Sequence, residues 1–457
     1  MNPFADTGYE GFGEAGYEML ESLNKALTAG SGVDAGSFTG GRALTVESLE
    51  GTLIDILHKQ KEAQLFQRIK KKPVSSVVHQ WDERTEVGAD DGAWVSEGGA
   101  SEETNQTITR KYATAKFLQT LRKVTLQAMH SQMIEDAVAL EQNAGALWVI
   151  RNAEKGLFSG DSAMVTQQPD GLEKLIPAAN VLDLRGKDAT ALDFEDSISD
   201  AARIVRDQYG MIDTIFTSTK VMADFQKVLR DRIRVGPGEA QSASVVFKKY
   251  TTIFGEPDLV PDVFVNEGAA PSASALSGAP DAPSIGTTTA ATNGSSQFAA
   301  ADAGTYYYKV VSVNQYGDSA PSAEDNQIVA AGESITLPVT KGSTTPTAYK
   351  VYRSKKGAGA STDIRFSHQV AYSTSPQNVL DHNADLPGTS DAYALTLDPL
   401  YQAIEWAQFL PMMKFRLYPT NEAVEPFLML LFGALALTAP TRHVRIKNIS
   451  PSDLGWF

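Results

Sequence analysis

Six histidines are the side chains of this sequence best suited to acid–base or metal chemistry: His58, His79, His130, His368, His382 and His443. None stands at metal-ligand spacing from another histidine, so each reads as a surface or packed residue rather than a zinc ligand. There is no cysteine, which removes disulfides, thiolate metal sites and thiol nucleophiles together. "GFGEAG" (Gly11–Gly16) has the spacing of a dinucleotide loop, but no strand precedes it and the surrounding segment is polar. "DHNADL" (Asp381–Leu386) begins like a calcium loop. It lacks the glycine and glutamate that such a loop needs, with Leu386 and Ala392 in their places. No Gly-x-Ser-x-Gly elbow appears either. These residues give no enzyme, no cofactor and no bound metal.

What remains is charge. An acidic, glycine-rich run, Gly88–Glu103, carries Asp90, Asp91, Glu97, Glu102 and Glu103 around a single Trp94. A basic run, Lys70, Lys71 and Lys72, lies not far upstream. The two could meet between copies of the chain. Equally, the lysines could be a solvated helix end, offsetting the helix dipole. One exposed ion pair contributes only about 0–1 kcal/mol. It matters when a symmetric assembly repeats it many times.

The elements that would position these groups can be read from periodicity. Residues 45–68 predict a helix, with Leu49, Leu53, Ile54, Ile56 and Leu57 on one side and Pro73 as its stop. Strand-like residues run to Val87 and resume from Gln106 to Leu121, so the acidic run is the tip of a two-stranded ribbon. A ribbon of this kind is marginal alone in water and needs cover from outside itself. A long helix follows over about 131–154, with Met133, Ala137, Leu140, Ala144 and Leu147 as its stripe and Gly156 and Gly160 beyond its end. Then come a helix over Asp193–Tyr209, a strand in "IDTIFTS" and a helix capped by Ser218. The apolar run Pro426–Pro440 is too short for a bilayer, which takes roughly 20 residues, and reads as a core element. Closing strands are expected at Met412–Tyr418 and His443–Ile449.

Between these parts the composition changes. Residues 266–298 are rich in Ala, Ser, Gly and Pro, and 381–393 form a second loose stretch; both read as linkers. Inside them "GTYYYKVVSVNQYGDSAPS" alternates with period two, and "SITLPVT", "AYKVYRS", "FSHQVAY" and "NVLDHN" follow as short strands. The Tyr-x-Tyr-x-Val-x-Ser spacing resembles the late strands of fibronectin type III and other immunoglobulin-like sandwiches. The Tyr-rich strand comes early and the segment has no Trp, so the general Ig-like sandwich is the reading. Tyr306, Tyr308, Val310, Val351 and Tyr352 are its candidate core. We therefore expect an insertion, 266–395, in a host domain. Its flexible tethers would make it a surface decoration outside the load path.

The whole order resembles the major capsid proteins of tailed bacteriophages, with the Hong Kong 97-type fold. That order is an arm, a helix, a ribbon reading "GAWVSEGGASEET", a long helix, "LFSGD…PDGL", a mixed α/β region and a final "RIKNI" strand. The resemblance implies an α+β fold over 44–265 and 396–457, with an N-terminal arm over 1–43 and an inserted all-β sandwich. It implies an E-loop at about 80–118, a spine helix at about 131–154 in a peripheral domain, and an axial domain at about 178–265. It also implies self-assembly into hexamers and pentamers of an icosahedral head around double-stranded DNA. Partners would be a portal, a separate scaffolding protein and a cementing protein. Some relatives crosslink an E-loop lysine to a neighbour's asparagine. Here Gly88–Glu103 has no lysine, and Lys111 and Lys116 lie down the stem.

Composition agrees with a structural role. The 457 residues carry a net charge of −15 and 42% hydrophobic residues, a balance for a packed chain that does not grip nucleic acid. The N-terminus has no basic and apolar signal pattern, so synthesis in the host cytoplasm and a place in the virion, away from membranes, are expected. Two rivals remain at this point. One is an encapsulin-like compartment shell. The other is a surface protein whose sandwich binds carbohydrate.

Overall fold

The computed structural model describes residues 62–88, 94–100, 103–130, 136–190, 192–231, 250–265, 268–357, 363–419 and 422–452. The arm, "GFGEAG", His58 and most of the helix expected over 45–68 lie outside them. The end of that helix is present as α1 (Gln64–Arg68). Pro73 does not stop it. Ile69 already turns to extended backbone at ψ 134°, and β1 (Lys71–Pro73) follows. The proline is tolerated because β1 is the outermost strand of its sheet.

β2 (Val78–Glu86) and β3 (Thr107–Thr114) form the expected antiparallel ribbon, in register from Val78↔Thr114 to Arg84↔Ile108. After Ala115 the chain becomes β4 (Lys116–Thr125), and α2 (Leu126–His130) ends this run. The spine helix is α3 (Ala137–Ser159), capped by Asp136, whose side chain accepts from the Val138 amide at 3.0 Å. It runs past Gly156, because Leu157 and Phe158 continue its buried face, and stops at Gly160. There a Cβ would stand 2.3 Å from the Pro169 carbonyl oxygen. The buried stripe differs from the expected one. Val149, Ile150, Ala153 and Leu157 carry it, whereas Leu140 is 36% exposed.

This helix lies on a four-stranded sheet, β1, then β18 (Ile404–Arg416), β19 (Val424–Leu437) and β4. The apolar run between the two prolines is β19, one of the sheet's two interior strands. Phe427, Met429 and Leu431 of β19 join Val149, Leu157 and Trp406 in one core. Gly145 permits the contact: a Cβ there would be 3.0 Å from Met429 Cγ.

A second sheet has the order β5 (Val181–Asp183), β20 (Val444–Ile449), β17 (Ser390–Leu395), β6 (Thr214–Thr217), β7 (Asp258–Pro261). Period-two alternation splits its residues between two cores. Ile215, Ala392, Ala394 and Ile446 meet Phe194, Ile198 and Val205 of α5 (Leu192–Asp207) and Phe225 of α6 (Thr219–Asp231). Phe216, Tyr393 and Leu395 face the end of the spine helix, where Phe158 sits 5.3 Å from the Tyr393 ring. A short helix, α4 (Leu172–Leu175), closes the loop after the spine helix. As expected, the Ser218 hydroxyl caps α6, accepting from the Val221 amide at 3.4 Å.

The segment between β7 and β17 folds into two sheets. One holds β11 (Gly317–Asp318), β10 (Gly304–Asn314), β14 (Ala348–Arg353) and β15 (Arg365–Ala371), with β12 (Asp325–Val329) also on β10. The other holds β16 (Gln377–Asp381), β13 (Glu333–Thr340) and β8 (Ser284–Ile285), with β9 (Thr289–Thr292) on β13. Tyr306, Tyr308, Val310 and Val351 face Ile335, Leu337 and Val379 across a common core. Tyr352 is buried on the opposite face, with Val311 and Ile364.

The linker expectation needs correction at both ends. β8 and β9 lie inside 266–298 and are strands of the second sheet. Within 381–393, Asp381, Asn383 and Leu386 are buried, and Ser390–Leu395 is a central strand of the β5–β7 sheet. Small residues hid these strands: "TAAT" and "SDAYAL" have linker composition but regular pairing. The two ends of the segment pass each other closely. At Gly268, φ is +56° and a Cβ would meet Gly388 Cα at 2.5 Å, so only glycine fits.

Candidate functional site

The exposed ribbon and the groups around its root form the candidate site. One face of the stem is largely solvated: Ile108 is 54% exposed and Tyr112 71%. Trp94, at the tip, is 97% exposed, and Val87 is 79% exposed. Glu97 and Glu103 are also exposed, whereas Asp90, Asp91 and Glu102 lie outside the described residues. An indole left almost wholly in water has given up no conformational freedom for packing within its own chain. Such a group is the kind that anchors a protein interface.

The basic run is placed differently from the helix-end expectation. Lys70, Lys71 and Lys72 are at the start of an edge strand, not at a solvated helix end. Lys72 Nζ is 3.1 Å from Glu405 Oε2, and Glu405 is only 5% exposed. Lys71 Nζ donates to the Phe66 carbonyl at 3.0 Å and stands 4.7 Å from that ring's centroid. Its pKa is lowered by burial, with Glu154 partly offsetting. Two of the three cations are therefore engaged within the chain, and Lys70 keeps an exposed position. Down the stem, Lys116 Nζ donates to the Thr166 carbonyl at 2.6 Å, which ties the ribbon root to the loop after the spine helix.

Beside the ribbon, the sheet face turned away from the spine helix has no covering layer among the described residues. Phe117 pairs with Phe432 and Leu121 with Leu428, so all four point to that face. Phe117 is 55% exposed, Leu121 51% and Phe415 51%. A contiguous apolar face of this kind marks an interaction surface.

Sequence reasoning missed a buried carboxylate beside the start of α1. Glu154, on the apolar stripe between Ile150 and Leu157, is fully buried. Its oxygens accept from the Leu65 and Phe66 amides at 2.7 and 2.8 Å, fixing the start of α1. Burial, then Asp262 beside it, raises its pKa well above the ordinary value. A lone glutamate in step with a buried stripe was the available signal.

His443 and "DHNADL" are occupied structurally. His443 accepts from the Thr396 amide through Nδ1 and faces the Ala403 carbonyl through Nε2, and burial lowers its pKa to about 4. Asp381 accepts from Arg353 at 2.7 Å, from Tyr308 at 2.8 Å and from the Asn383 amide at 2.8 Å. Among the described residues, no cluster of three His, Asp or Glu could hold a metal ion. No helix among them is long and apolar enough to cross a membrane.

The family model described as the SU10 major capsid protein matches residues 27–300, more than half of the chain. The chain belongs to the SU10 major capsid protein family. The major capsid protein of Staphylococcus phage S25-3 is 24% identical over 455 residues, covering 94% of this chain and 96% of that protein. A putative major capsid protein of Enterococcus phage phiEF24C is 25% identical over 457 residues, covering 94% and 95%. Among solved structures, the capsid of a native GTA particle has a TM-score of 0.49 at 10% identity, covering 90% of this chain and 97% of that one. A Microbacterium phage Oxtober96 chain has a TM-score of 0.47 at 10% identity, covering 89% and 97%. This major capsid protein is a structural subunit of the capsid shell of a phage virion. The ribbon and α3 lie where the resemblance implied an E-loop and a spine helix.

Proposed function

We propose that this capsid subunit assembles with itself into hexamers and pentamers that close an icosahedral head around double-stranded DNA, with the E-loop as the principal intersubunit contact. The observation that carries this reading is Trp94, 97% exposed at the tip of a ribbon that has no core of its own. A neighbouring copy supplies the cover. The apolar sheet face around Phe117 and Leu121 is the ground available for it, and Lys70, exposed and without an ion pair among the described residues, is the cation to meet Glu97 or Glu103. Exposed ion pairs set register more than affinity, so the indole contributes most of the energy. The net charge of −15 suits a shell that encloses DNA without gripping it. A separate scaffolding protein, a portal and a cementing protein complete the proposal. So does outward display of the 268–388 sandwich as an Ig-like insertion.

The test is deletion of Gly88–Glu103. The expected product is a folded, soluble subunit that forms no shells. Closed shells of normal diameter from that deletion would overturn the assignment. A charge test belongs at Lys70 alone, because reversing Lys72 would leave Glu405 buried beside a like charge.

A further inference from the structure

The sandwich is held by the host at two separate places. At the first, the guanidinium of Arg185, in the turn after β5, donates through Nη1 to Gln297 Oε1 at 2.8 Å and the Asn383 carbonyl at 2.7 Å. Its Nη2 donates to the Gln297 carbonyl at 2.8 Å. Asn448 accepts from the Leu386 amide at 2.9 Å and donates to the Ala384 carbonyl at 3.0 Å, and Lys447 Nζ donates to the same carbonyl at 3.0 Å. Arg185, Asn383 and Asn448 have φ of 50°, 61° and 60°, three left-handed non-glycine residues at one junction. Such backbone persists only where its surroundings over-determine it.

At the second place, Val165, in the loop after the spine helix, is buried with Val313 and Ala348 of the sandwich. Strand β14 links the two places. Ala348, its first residue, is in the Val165 cluster, and Arg353, its last, bonds Asn383 Oδ1 at 2.6 Å and Asp381 at 2.7 Å. Six residues of strand span about 17 Å, at about 3.4 Å per residue. A continuous path therefore runs from the axial turn through Arg185, Asn383, Arg353 and β14 to the end of the spine helix. Every side chain on it is paired or packed.

We infer that the sandwich is an internal brace, joining the end of the spine helix to the axial sheet, and not a tethered ornament. Its two docking places are mechanically coupled through β14.

Hydrogen exchange by mass spectrometry on the full-length, unassembled subunit tests the coupling. Arg185→Ala releases the first junction only. The brace requires that amides at the second also loosen. Those of Met164, Val165 and Gln168, each bonded within the loop, are expected to exchange at least about tenfold faster, a shift of about 1.4 kcal/mol. Arg185→Lys, which keeps the charge but loses the fork, should fall between. Gln297→Ala removes one acceptor and leaves the backbone bond, so it reads the same coupling should Arg185→Ala not fold. Faster exchange confined to residues 183–187 and 383–386, or no change at all, would overturn the brace and leave the E-loop proposal untouched.

Discussion

Replacing Trp94 with alanine isolates the contact on which assembly is proposed to depend. The side chain is 97% exposed in the subunit, so its removal costs the subunit's own fold almost nothing. Covering an aromatic residue removes about 150–250 Å² from water. At about 25 cal/mol per Å² that is a ceiling of about 4–6 kcal/mol. Ordering the tip and desolvating its polar neighbours consume part of it. About 2 kcal/mol per contact, the lower bound for an interface anchor, remains a reasonable expectation. That corresponds to about a 30-fold weaker contact. The assay is sedimentation of assembly reactions across a concentration series, with size-exclusion and circular dichroism to confirm the folded subunit. The threshold concentration for shells should rise by about 30-fold or more, because every subunit in a closed shell loses the same contact. A threshold changed by less than about twofold, from a folded subunit, would refute the reasoning.

Two further outcomes follow from buried charge. Glu154 has its folded pKa raised, so its stabilising contribution is fully present below its ordinary value of 4.5 and is lost as pH rises through the folded value. Glu154→Gln removes that proton, and in urea titrations the fall in stability with rising pH above 4.5 should become shallower by about 1.4 kcal/mol per pH unit; an unchanged slope would contradict it. Arg353→Met leaves Asp381 buried without its 2.7 Å partner and should cost the sandwich about 3–5 kcal/mol by denaturant unfolding, while adding Asp381→Leu should recover much of the loss; no recovery would place the damage in packing instead of charge.

The elements with strong periodicity were legible. The tyrosine strand, the run between Pro426 and Pro440 and the helix capped by Ser218 each carry a local pattern that packing reinforces. What escaped was set by tertiary context. The strands at Thr289–Thr292 and Ser390–Leu395 are built of small residues, which pack between larger neighbours but look like linker. Lys72 and Glu405 are 333 residues apart in sequence, and only the parallel pairing of β1 with β18 brings them together. The same holds for Glu154 at the amides of Leu65 and Phe66. Of the candidate site, the acidic tip and its indole were visible as an oddity of composition. That two of the three lysines are committed elsewhere was not.

The chain has no cysteine, so one introduced thiol reports from one place only. Ser96 is exposed two residues beyond Trp94. The most direct test of the central claim is the maleimide labelling rate of a Ser96→Cys chain, compared between free subunits and closed shells. If the E-loop tip gains its cover from a neighbouring copy, the thiol reacts at the rate of an open cysteine in the subunit and at least about tenfold more slowly in the shell, the factor that corresponds to about 1.4 kcal/mol of protection. Equal rates in the two states would show that the tip stays in solvent after assembly and would contradict the account.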